Sequence, residues 1–245
     1  MTGAAGLDGS VTVGGGPVEL FRAGVATSYR GALRTYGGSP ADVSVLNVVR
    51  LSGYLFGVVP AESPASWEPA ALQAQAVAAR TYAERLRSDA RLSGRGYDLC
   101  DTTSCQVYAG HGVEQDTTNA AVRATTGTIR TWEGEPIVAE FSSSNGGQTV
   151  DSALPYQRYR SDRFDDDVNP NARWQARFDG DVVADRWGLG TLTGVRVLER
   201  DGHGTWGGRA TWVRLAGTER SVTVSGDDFR TGLGLRSTYL RLTSV

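Results

Sequence analysis

One carboxylate in this chain has the surroundings expected of a proton donor. Glu62 ends an apolar run and lies between Pro60 and Pro64, so its backbone is expected to be rigid and non-helical just before a long helix. Apolar neighbours such as Val58 and Val59 are expected to desolvate the carboxyl group, which favours the protonated form that a glycosidic-bond-cleaving acid needs. The alternative is a structural glutamate stabilised by the dipole of the following helix. Residue types alone favour that alternative.

A second candidate is the one charged residue within an alanine-rich run. Arg80 follows the segment QAQAVAA, where the neighbouring side chains are expected to be buried. Because a buried guanidinium group usually needs a carboxylate partner, two interpretations stand side by side. In the first, Arg80 forms a structural ion pair. In the second, it orients Glu62 or contacts a substrate.

Three other kinds of chemistry lack their motifs. The sequence has no G-x-S-x-G elbow and no H-E-x-x-H zinc motif, and its two histidines are His111 and His203. A phosphate-binding G-x-x-x-x-G-K-[ST] loop is impossible because the chain contains no lysine. Serine hydrolases, zincins and nucleotide-dependent enzymes are therefore disfavoured.

The chain has two cysteines, Cys100 and Cys105, five positions apart. In a reducing compartment such a pair indicates metal or redox chemistry, whereas outside the cytosol it indicates a local disulfide. A zinc site needs two further ligands, and only His111 lies nearby in sequence. A disulfide is therefore preferred, and two reduced structural cysteines are the second interpretation.

The composition is that of a soluble globular protein. The 245 residues are 40% hydrophobic and 21% charged, with a net charge of −2. Nucleic acid is not an expected partner, because its binding proteins usually carry a strongly basic face. No apolar run reaches the ~18 residues of a membrane-spanning helix, and no secretory signal is visible after Met1.

The elements that position these residues are short strands around a helix-rich centre. Residues 66–92 predict a long helix with Ser66 as N-cap and Pro69 in the first turn. Its buried stripe is expected to consist of Leu72, Ala76, Ala79, Ala83 and Leu86. Before it, strands are predicted at 11–13, 18–21, 30–36 and 43–49. After it come a helix at 118–126, a hairpin at 128–132 and 136–141, a polar loop at 142–147, an irregular connection at 152–175, and strands near 196–198, 211–214 and 221–224. The predicted fold class is α+β, with short strands flanking a helix-containing catalytic centre and a substrate groove.

Five segments carry a shared pattern: YLFGVVPAESPASW (54–67), EPAALQAQAVAARTYA (68–83), YDLCDTTSCQVYAG (97–110), TTGTIRTWEGEPIVAEFSSSNGGQT (125–149) and GLGLRSTYL (232–240). In this order and spacing they resemble the stage II sporulation protein D family, SpoIID/LytB. The resemblance runs from about residue 51 to the end of the chain. It suggests three segments, 1–50 as an N-terminal β-rich part, 51–160 as the catalytic core and 161–245 as a C-terminal β-rich part.

The resemblance implies a peptidoglycan lytic transglycosylase that acts on glycan strands, preferably strands stripped of stem peptides. The family's catalytic glutamate falls on Glu62, its essential basic residue on Arg80, and a second basic residue on Arg158. The polar loop would line the groove, with Gln106 and Tyr108 as further substrate contacts. The loop candidates are Ser143, Ser144, Asn145 and Gly146.

Zinc is disfavoured, so no cofactor is expected. Some members of the family bind zinc through two cysteines and adjacent histidines. Here Ser104 stands where a histidine often precedes the second cysteine, and Gly96 and Tyr97 offer no ligand upstream. The expected partners are glycan strands and, on the LytB side of the family, a cell-wall amidase. The expected location is extracytoplasmic.

Two rival functions remain open. A hydrolytic muramidase would need a second carboxylate roughly 5–9.5 Å from the first. The candidates for it are Asp98, Asp101, Glu114 and Glu140. A non-catalytic wall-binding module that enhances an amidase is the other rival. Aromatic side chains, Trp206 among them, are candidates for stacking on sugar rings in either case, although most aromatic residues serve the core.

Overall fold

The structure is a computed structural model that describes residues 12–36, 44–93, 96–165 and 171–243. The chain forms two compact units, Met1–Phe141 and Ser142–Val245. Both units combine helices with short antiparallel strands, so the predicted α+β class is confirmed. In the described residues, no helix is both long and apolar enough to cross a membrane.

The first unit begins with five short strands. They are β1 (Thr12–Gly14), β2 (Val18–Arg22), β3 (Val25–Tyr29), β4 (Ala32–Tyr36) and β5 (Ser44–Val48). Strands β1, β4 and β5 form one antiparallel sheet, and β2 pairs with β3. The β2–β3 turn consists of Ala23 and Gly24, both with positive φ, which matches the right-handed twist of a tight hairpin. The predicted strands are present, but β3 was missed; position 11 and positions 37–43 lie outside the described residues.

Three helices follow and build the core of this unit: α1 (Leu51–Glu62), α2 (Pro69–Ser93) and α3 (Asp116–Ala124). Leu55, Val58 and Val59 of α1 are completely buried. Burial of each such side chain contributes about 1.5–3 kcal/mol to folding. In α2 the predicted stripe is largely confirmed, since Leu72, Ala76, Ala79 and Ala83 are all buried and only Leu86 is half-exposed. Small alanine side chains allow α1 and α3 to pack closely against α2.

The expectation of a non-helical segment around Glu62 is wrong. Helix α1 contains Pro60 and ends with Glu62 itself. Pro60 has no N–H to donate to the carbonyl of Phe56, and its ring crowds that carbonyl. The cost is small because Pro60 lies in the last turn of α1, where few helical hydrogen bonds remain to be broken. Ser63 is extended (φ −140°, ψ 135°) because it precedes Pro64, and there the helix stops.

Three further boundaries differ from prediction. Helix α2 begins at Pro69, so Glu68 rather than Ser66 occupies the N-cap position. Helix α3 lies two residues earlier than predicted. The predicted hairpin is present, but its paired strands are only two residues long, β6 (Thr131–Trp132) and β7 (Glu135–Pro136). Pro136 has no N–H to donate across the pair.

The second unit contains α4 (Gly180–Trp187), β8 (Leu192–Arg200), β9 (Ala210–Gly217), β10 (Ser221–Ser225) and α5 (Gly226–Gly232). The strands form an antiparallel sheet in the order β10-β9-β8. Leu189, Val213 and Leu215 are completely buried and, with Phe229, form the centre of a second apolar core. The strands were predicted, whereas both short helices were not.

Residues 142–160, which sequence reasoning grouped with Glu62, belong to the second unit. The Arg209 guanidinium group binds the carbonyl oxygen of Asn145 at 2.5 Å and that of Gln148 at 3.2 Å. These contacts join the predicted polar loop to the start of β9. The irregular connection predicted from 152 carries neither helix nor named strand in its described residues.

Candidate functional site

Helix α1 carries Glu62 at its C-terminal end, directly after its most deeply buried turn. Val58 and Val59 are fully buried, whereas Glu62 is half-buried and reaches the surface of the unit. The C-terminal end of a helix does not stabilise negative charge. The Glu62 carboxylate therefore depends on donors from outside α1.

That donor is the backbone of the segment after the second cysteine. The Val107 N–H donates to Oε1 of Glu62 at 2.9 Å. No described residue donates to Oε2, so this oxygen is the one that can carry and release a proton. A carboxyl group held by one oxygen and open at the other has the geometry of a general acid and base.

Two buried polar atoms accompany this carboxylate. The Tyr54 hydroxyl and the side-chain oxygen of Gln106 are buried without a hydrogen bond of good geometry, although the Gln106 side chain lies close enough to the Tyr54 hydroxyl to lower its pKa. Gln106 is 1% exposed and adjoins Val107, and its Nε2 donates to the carbonyl of Ala79 at 3.2 Å. Unpaired buried polar atoms are rare and call for an explanation such as a ligand or an ordered water. Tyr54 is 7% exposed and Gln106 only 1%, so the substrate contact expected of Gln106 stays a prediction.

Burial raises the pKa of the Tyr54 hydroxyl, and the nearby Tyr108 and Glu62 raise it further. Tyr54 therefore remains neutral at all ordinary pH values and keeps its proton as a hydrogen-bond donor.

The guanidinium group of Arg80 binds helix carbonyls rather than a carboxylate. Arg80 is 5% exposed. Its nitrogens donate to the carbonyl oxygens of Val122 (3.0 Å) and Thr128 (3.1 Å) and to the Thr125 hydroxyl at 3.3 Å. These contacts satisfy the C-terminal end of α3, where a cation is favoured. Burial lowers the pKa of Arg80. The expected carboxylate partner is absent among the described residues, and the C-terminal end of α3 takes its place.

Tyr108 lies in the core of the first unit. Its hydroxyl donates to Oδ1 of Asn47 at 2.7 Å, and its ring packs against Tyr54 and Tyr29. The backbone of α1 passes so close that a Cβ on Gly57 would lie 2.6 Å from the Tyr108 ring. Tyr108 is 8% exposed, so its position suits support of the 106–110 segment better than contact with a glycan.

The two cysteines form a disulfide, Cys100–Cys105, and this preferred interpretation is confirmed. The Cys100 N–H also donates to the sulfur of Cys105 at 3.1 Å. A zinc ion would need both sulfurs as free thiolates, and the nearest histidine, His111, is bound to Glu114. The described residues contain no group of three or more metal-ligating side chains. As arranged here, these residues do not fit a zinc site.

Glu114 anchors a buried network that sequence reasoning missed. Its carboxylate accepts two hydrogen bonds from Arg30, one from His111 at 2.9 Å and one from Asn119 at 2.9 Å. Burial alone would raise the pKa of Glu114, but these donors outweigh it and lower the pKa to about 2. A carboxylate so fully occupied does not suit the second acid/base that a hydrolytic muramidase needs. No local motif reveals the network, because Arg30 and Glu114 are 84 positions apart.

In the second unit, the predicted polar loop forms a ring of donors around one carboxylate. Oδ2 of Asp165 accepts hydrogen bonds from the Ser144 hydroxyl and from the N–H groups of Asn145, Gly146 and Gly147, at 2.7 to 3.3 Å. Both glycines have positive φ, which turns successive N–H groups inward. The loop is thus built to bind an anion, and here Asp165 is that anion.

Two other predicted residues of this unit lie nearby in sequence. The Ser143 hydroxyl accepts a hydrogen bond from Asn171 at 3.1 Å. Arg158 is exposed, and its Nε donates to the carbonyl of Pro155 at 3.0 Å. Because the guanidinium group of Arg158 is exposed, a ligand can reach it. The substrate contact predicted for Arg158 stays a prediction.

The predicted site residues therefore divide between the units. In the first, Glu62 and Gln106 are brought together through Val107, while Arg80 binds α3. In the second are Arg158 and the loop candidates Ser143, Ser144, Asn145 and Gly146.

The first unit thus defines a class of protein: an α+β fold with a carboxylate at the end of a buried helix, held by the backbone of a disulfide-linked segment. The chain belongs to the stage II sporulation protein D family. The model of that family, described as stage II sporulation protein, matches residues 39–132, which include Glu62, Arg80 and the disulfide.

Relatives with curated names agree. The chain is 30% identical to stage II sporulation protein D of Bacillus subtilis over 251 residues, covering 91% of this chain and 71% of the relative. It is 36% identical to the protein of the same name from Bacillus amyloliquefaciens over 154 residues, covering 52% of this chain and 44% of the relative. It is also 40% identical to the amidase enhancer of Bacillus subtilis over 120 residues, covering 46% of this chain but only 16% of that protein.

Proposed function

We propose that this protein is a peptidoglycan lytic transglycosylase that cleaves the bond between N-acetylmuramic acid and N-acetylglucosamine. The observation that carries the proposal is the Glu62 carboxyl group, held at Oε1 by the Val107 N–H while Oε2 accepts no hydrogen bond from a described residue. Family membership supports a role at the cell wall. A disulfide persists in an oxidising compartment, which supports an extracytoplasmic location.

The proposed reaction needs one carboxyl group. Protonated Glu62 donates its proton from Oε2 to the glycosidic oxygen, the bond from the muramic C1 to that oxygen breaks, and N-acetylglucosamine leaves with its hydroxyl restored. The Glu62 carboxylate then removes the proton from the muramic C6 hydroxyl, whose oxygen bonds to C1. The product is a 1,6-anhydro sugar, and Glu62 is protonated again. No water is consumed and no cofactor takes part.

The surrounding residues have distinct roles in this proposal. Tyr54 and Gln106 are almost fully buried and are proposed to position the Val107 segment that holds Glu62. Arg80 acts as a positioning residue, because it fixes α3 against α2. Arg158 is proposed as a substrate contact. Denuded glycan is the proposed substrate.

The test replaces Glu62 with glutamine and digests purified glycan strands. Glu62→Gln keeps the shape of the side chain but cannot exchange a proton, so we expect turnover to fall roughly 10²–10⁴-fold with binding retained. Glu68→Gln is the matched control, because Glu68 is exposed at the start of α2 and is expected to leave turnover unchanged. A folded Glu62→Gln protein that cleaves at the wild-type rate would falsify the assignment.

Mass spectrometry of the products separates this reaction from hydrolysis. A transglycosylase leaves anhydro ends, whereas a muramidase leaves reducing ends that are heavier by one water. Reducing ends as the main product would replace the proposal with the hydrolytic rival.

A non-catalytic role is the second candidate, and one observation favours it: a relative that is 40% identical carries the name amidase enhancer. In that case the pure protein would bind glycan without releasing products and would raise the rate of a cell-wall amidase. Glu62→Gln would then leave the enhancement unchanged, which distinguishes this role from the enzymatic one.

A further inference from the structure

The second unit contains a groove with an apolar floor and aromatic walls. Its volume is about 1550 Å³, above the roughly 300–1,000 Å³ of a typical small-molecule pocket. Core side chains such as Leu235 and Leu240 form the floor, and Trp174, Trp206 and Tyr239 contribute to the walls. This volume can hold more than one sugar ring.

Trp206 lines this groove, and its backbone conformation is unfavourable for a tryptophan. Its φ is 60° and its ψ is 16°, in the left-handed region that bulky side chains avoid. Its side chain is nevertheless 48% exposed, so burial of the ring does not offset this conformation. The ring packs against Tyr239 with centroids 5.8 Å apart, and the Arg241 guanidinium group lies 5.6 Å from its centre. Backbone conformations of this kind persist where a function requires them.

The loop that carries Trp206 is fixed by hydrogen bonds on both sides. The Thr205 N–H donates to the Tyr239 hydroxyl at 2.7 Å. Oδ1 of Asp201 accepts from the N–H groups of His203 and Arg209, each at 3.0 Å. The backbone on both sides of Trp206 is therefore held in place before any ligand arrives, which reduces the entropy lost on binding.

The rim of the groove adds positive charge. Exposed residues of its lining are Arg173, Arg177, Arg241 and Asp179, and the half-buried Asp165 lines it as well. Asp165 is occupied by the N–H groups of the polar loop. An arginine fork pairs with a carboxylate through two parallel hydrogen bonds. The groove thus combines aromatic faces, which suit sugar rings, with guanidinium groups, which suit carboxylates.

We propose that this groove of the second unit binds a glycan strand that carries carboxylate groups. The Trp206 ring packs on a sugar face, and Arg177 pairs with a carboxylate of the strand. The identity of the strand rests on the proposed function, in which the substrate is built from muramic acid, whose lactyl ether ends in a carboxylate. Binding itself requires no cleavage.

The experiment measures binding in the full-length Glu62→Gln protein, which holds glycan without cutting it. The probe is denuded peptidoglycan strands, and tryptophan fluorescence and sedimentation report the affinity. Trp206→Ala should weaken binding about tenfold, while Trp206→Phe keeps an aromatic ring and should retain most of it. Trp212→Ala is the matched control: Trp212 is 45% exposed in the same unit, lies outside the groove, and its replacement should change affinity less than twofold.

A second comparison tests the charged part of the proposal. Uncharged N-acetylglucosamine oligomers should bind more weakly than the carboxylated strands. Arg177→Ala should remove most of that difference, whereas Arg196→Ala, an exposed arginine of β8 outside the groove, should not. Equal affinity for both polymers would overturn the carboxylate assignment.

Two results would overturn the groove as a glycan site: unchanged binding by a folded Trp206→Ala protein, or equal losses for Trp206→Ala and Trp212→Ala. If Trp206→Ala fails to fold, unchanged binding by Arg177→Ala has the same consequence. Cleavage by the Glu62-containing protein is measured separately. The two proposals can therefore fail separately. Glycan can bind in the groove without being cleaved, and it can be cleaved without binding in the groove.

Discussion

The carboxyl groups of Glu62 and Glu114 show how neighbours assign different roles to the same residue type. Glu62 accepts one hydrogen bond from a backbone N–H and has no ion-pair partner among the described residues. Glu114 is bound by Arg30, His111 and Asn119. Proton exchange at Glu62 breaks no ion pair, whereas protonation of Glu114 would disrupt an entire network. The first environment suits chemistry and the second suits stability.

The network around Glu114 predicts acid sensitivity of the fold. The pKa of Glu114 is about 2 in the folded protein, against 4.5 for the free side chain. A lowered pKa contributes stability above pH 4.5, and that contribution is lost as the pH falls to about 2. It amounts to at most about 3 kcal/mol. Denaturant unfolding at a series of pH values measures it.

The variant Glu114→Gln makes this prediction specific. It should be less stable than wild type at neutral pH, and the difference should shrink as the pH falls from 4.5 towards 2, because wild type then loses the same interaction. Glu19→Gln, at an exposed position of β2, is the control and should follow wild type throughout. A difference that does not change with pH would contradict the assigned network.

Arg80 allows a structural role to be separated from a catalytic one. Replacement by methionine would remove the hydrogen bonds that the buried Arg80 side chain donates to the carbonyls of Val122 and Thr128, so we expect the free energy of unfolding to fall by about 1–3 kcal/mol. Arg87→Met, which removes a surface pair with Glu84, should cost less than about 1 kcal/mol. Urea unfolding gives both values. Unchanged stability combined with an altered pH profile of cleavage would instead show that Arg80 acts on Glu62 directly.

At the scale of elements, helix α2 could be predicted from the sequence, whereas the end of helix α1 could not. The alanine stripe of α2 repeats at helical spacing, so the helix and its buried face are evident from the sequence. In α1, Pro60 and Pro64 suggest an irregular segment, and only the packed core shows that the helix continues through Pro60. Helices α4 and α5 were missed because they are only eight and seven residues long, and a short periodic pattern is ambiguous.

The candidate site divides in the same way. The resemblance of five segments identified Glu62, but the donor that holds it could not be predicted. The N–H of Val107 is 45 positions away in sequence and reaches Glu62 only through tertiary packing. The contact between Asp165 and the polar loop could not be predicted either, because the residues that donate to Asp165 lie 18 to 21 positions before it in sequence. Backbone donors have no sequence signature, since every residue except proline has one.

Close packing between α1 and the 106–110 segment predicts the effect of Gly57→Ala. The added Cβ would lie 2.6 Å from the carbonyl oxygen of Gly110 and 2.6 Å from the Tyr108 ring. We therefore expect a loss of about 1–3 kcal/mol, although alanine is normally preferred over glycine in a helix by roughly 0.5–1 kcal/mol. Because Val107 belongs to this segment, cleavage should fall as well.

Gly53→Ala is the control within the same helix. Its Cβ would meet a methyl group of Val49 at 2.9 Å, and that side chain can adjust more easily than a backbone carbonyl. Its cost in urea unfolding should therefore be smaller. Equal costs for the two variants would contradict the close approach at Gly57.

At the scale of the whole molecule, charge and chemistry are distributed unevenly along the chain. Residues 1–141 contain 11 arginines and 14 acidic residues, a net charge of −3. Residues 142–245 contain 14 arginines and 13 acidic residues, a net charge of +1. The proposed acid/base lies in the acidic first unit, and the proposed glycan groove lies in the second. Neither unit has the strong positive charge that drives binding to nucleic acid.

This charge balance predicts that glycan binding depends only weakly on salt. A protein that neutralises many phosphates loses about 10³–10⁵-fold in affinity between roughly 50 and 200 mM salt. A groove that combines aromatic faces such as Trp206 with few arginine contacts should lose less than about tenfold over that range, since stacking is not screened and only the ion pairs are. Titration of the Glu62→Gln protein with denuded strands measures this dependence. The uncharged N-acetylglucosamine oligomers serve as the reference and should show almost no change. A steep salt dependence with the carboxylated strands would mean that charge, rather than the aromatic wall, supplies the affinity.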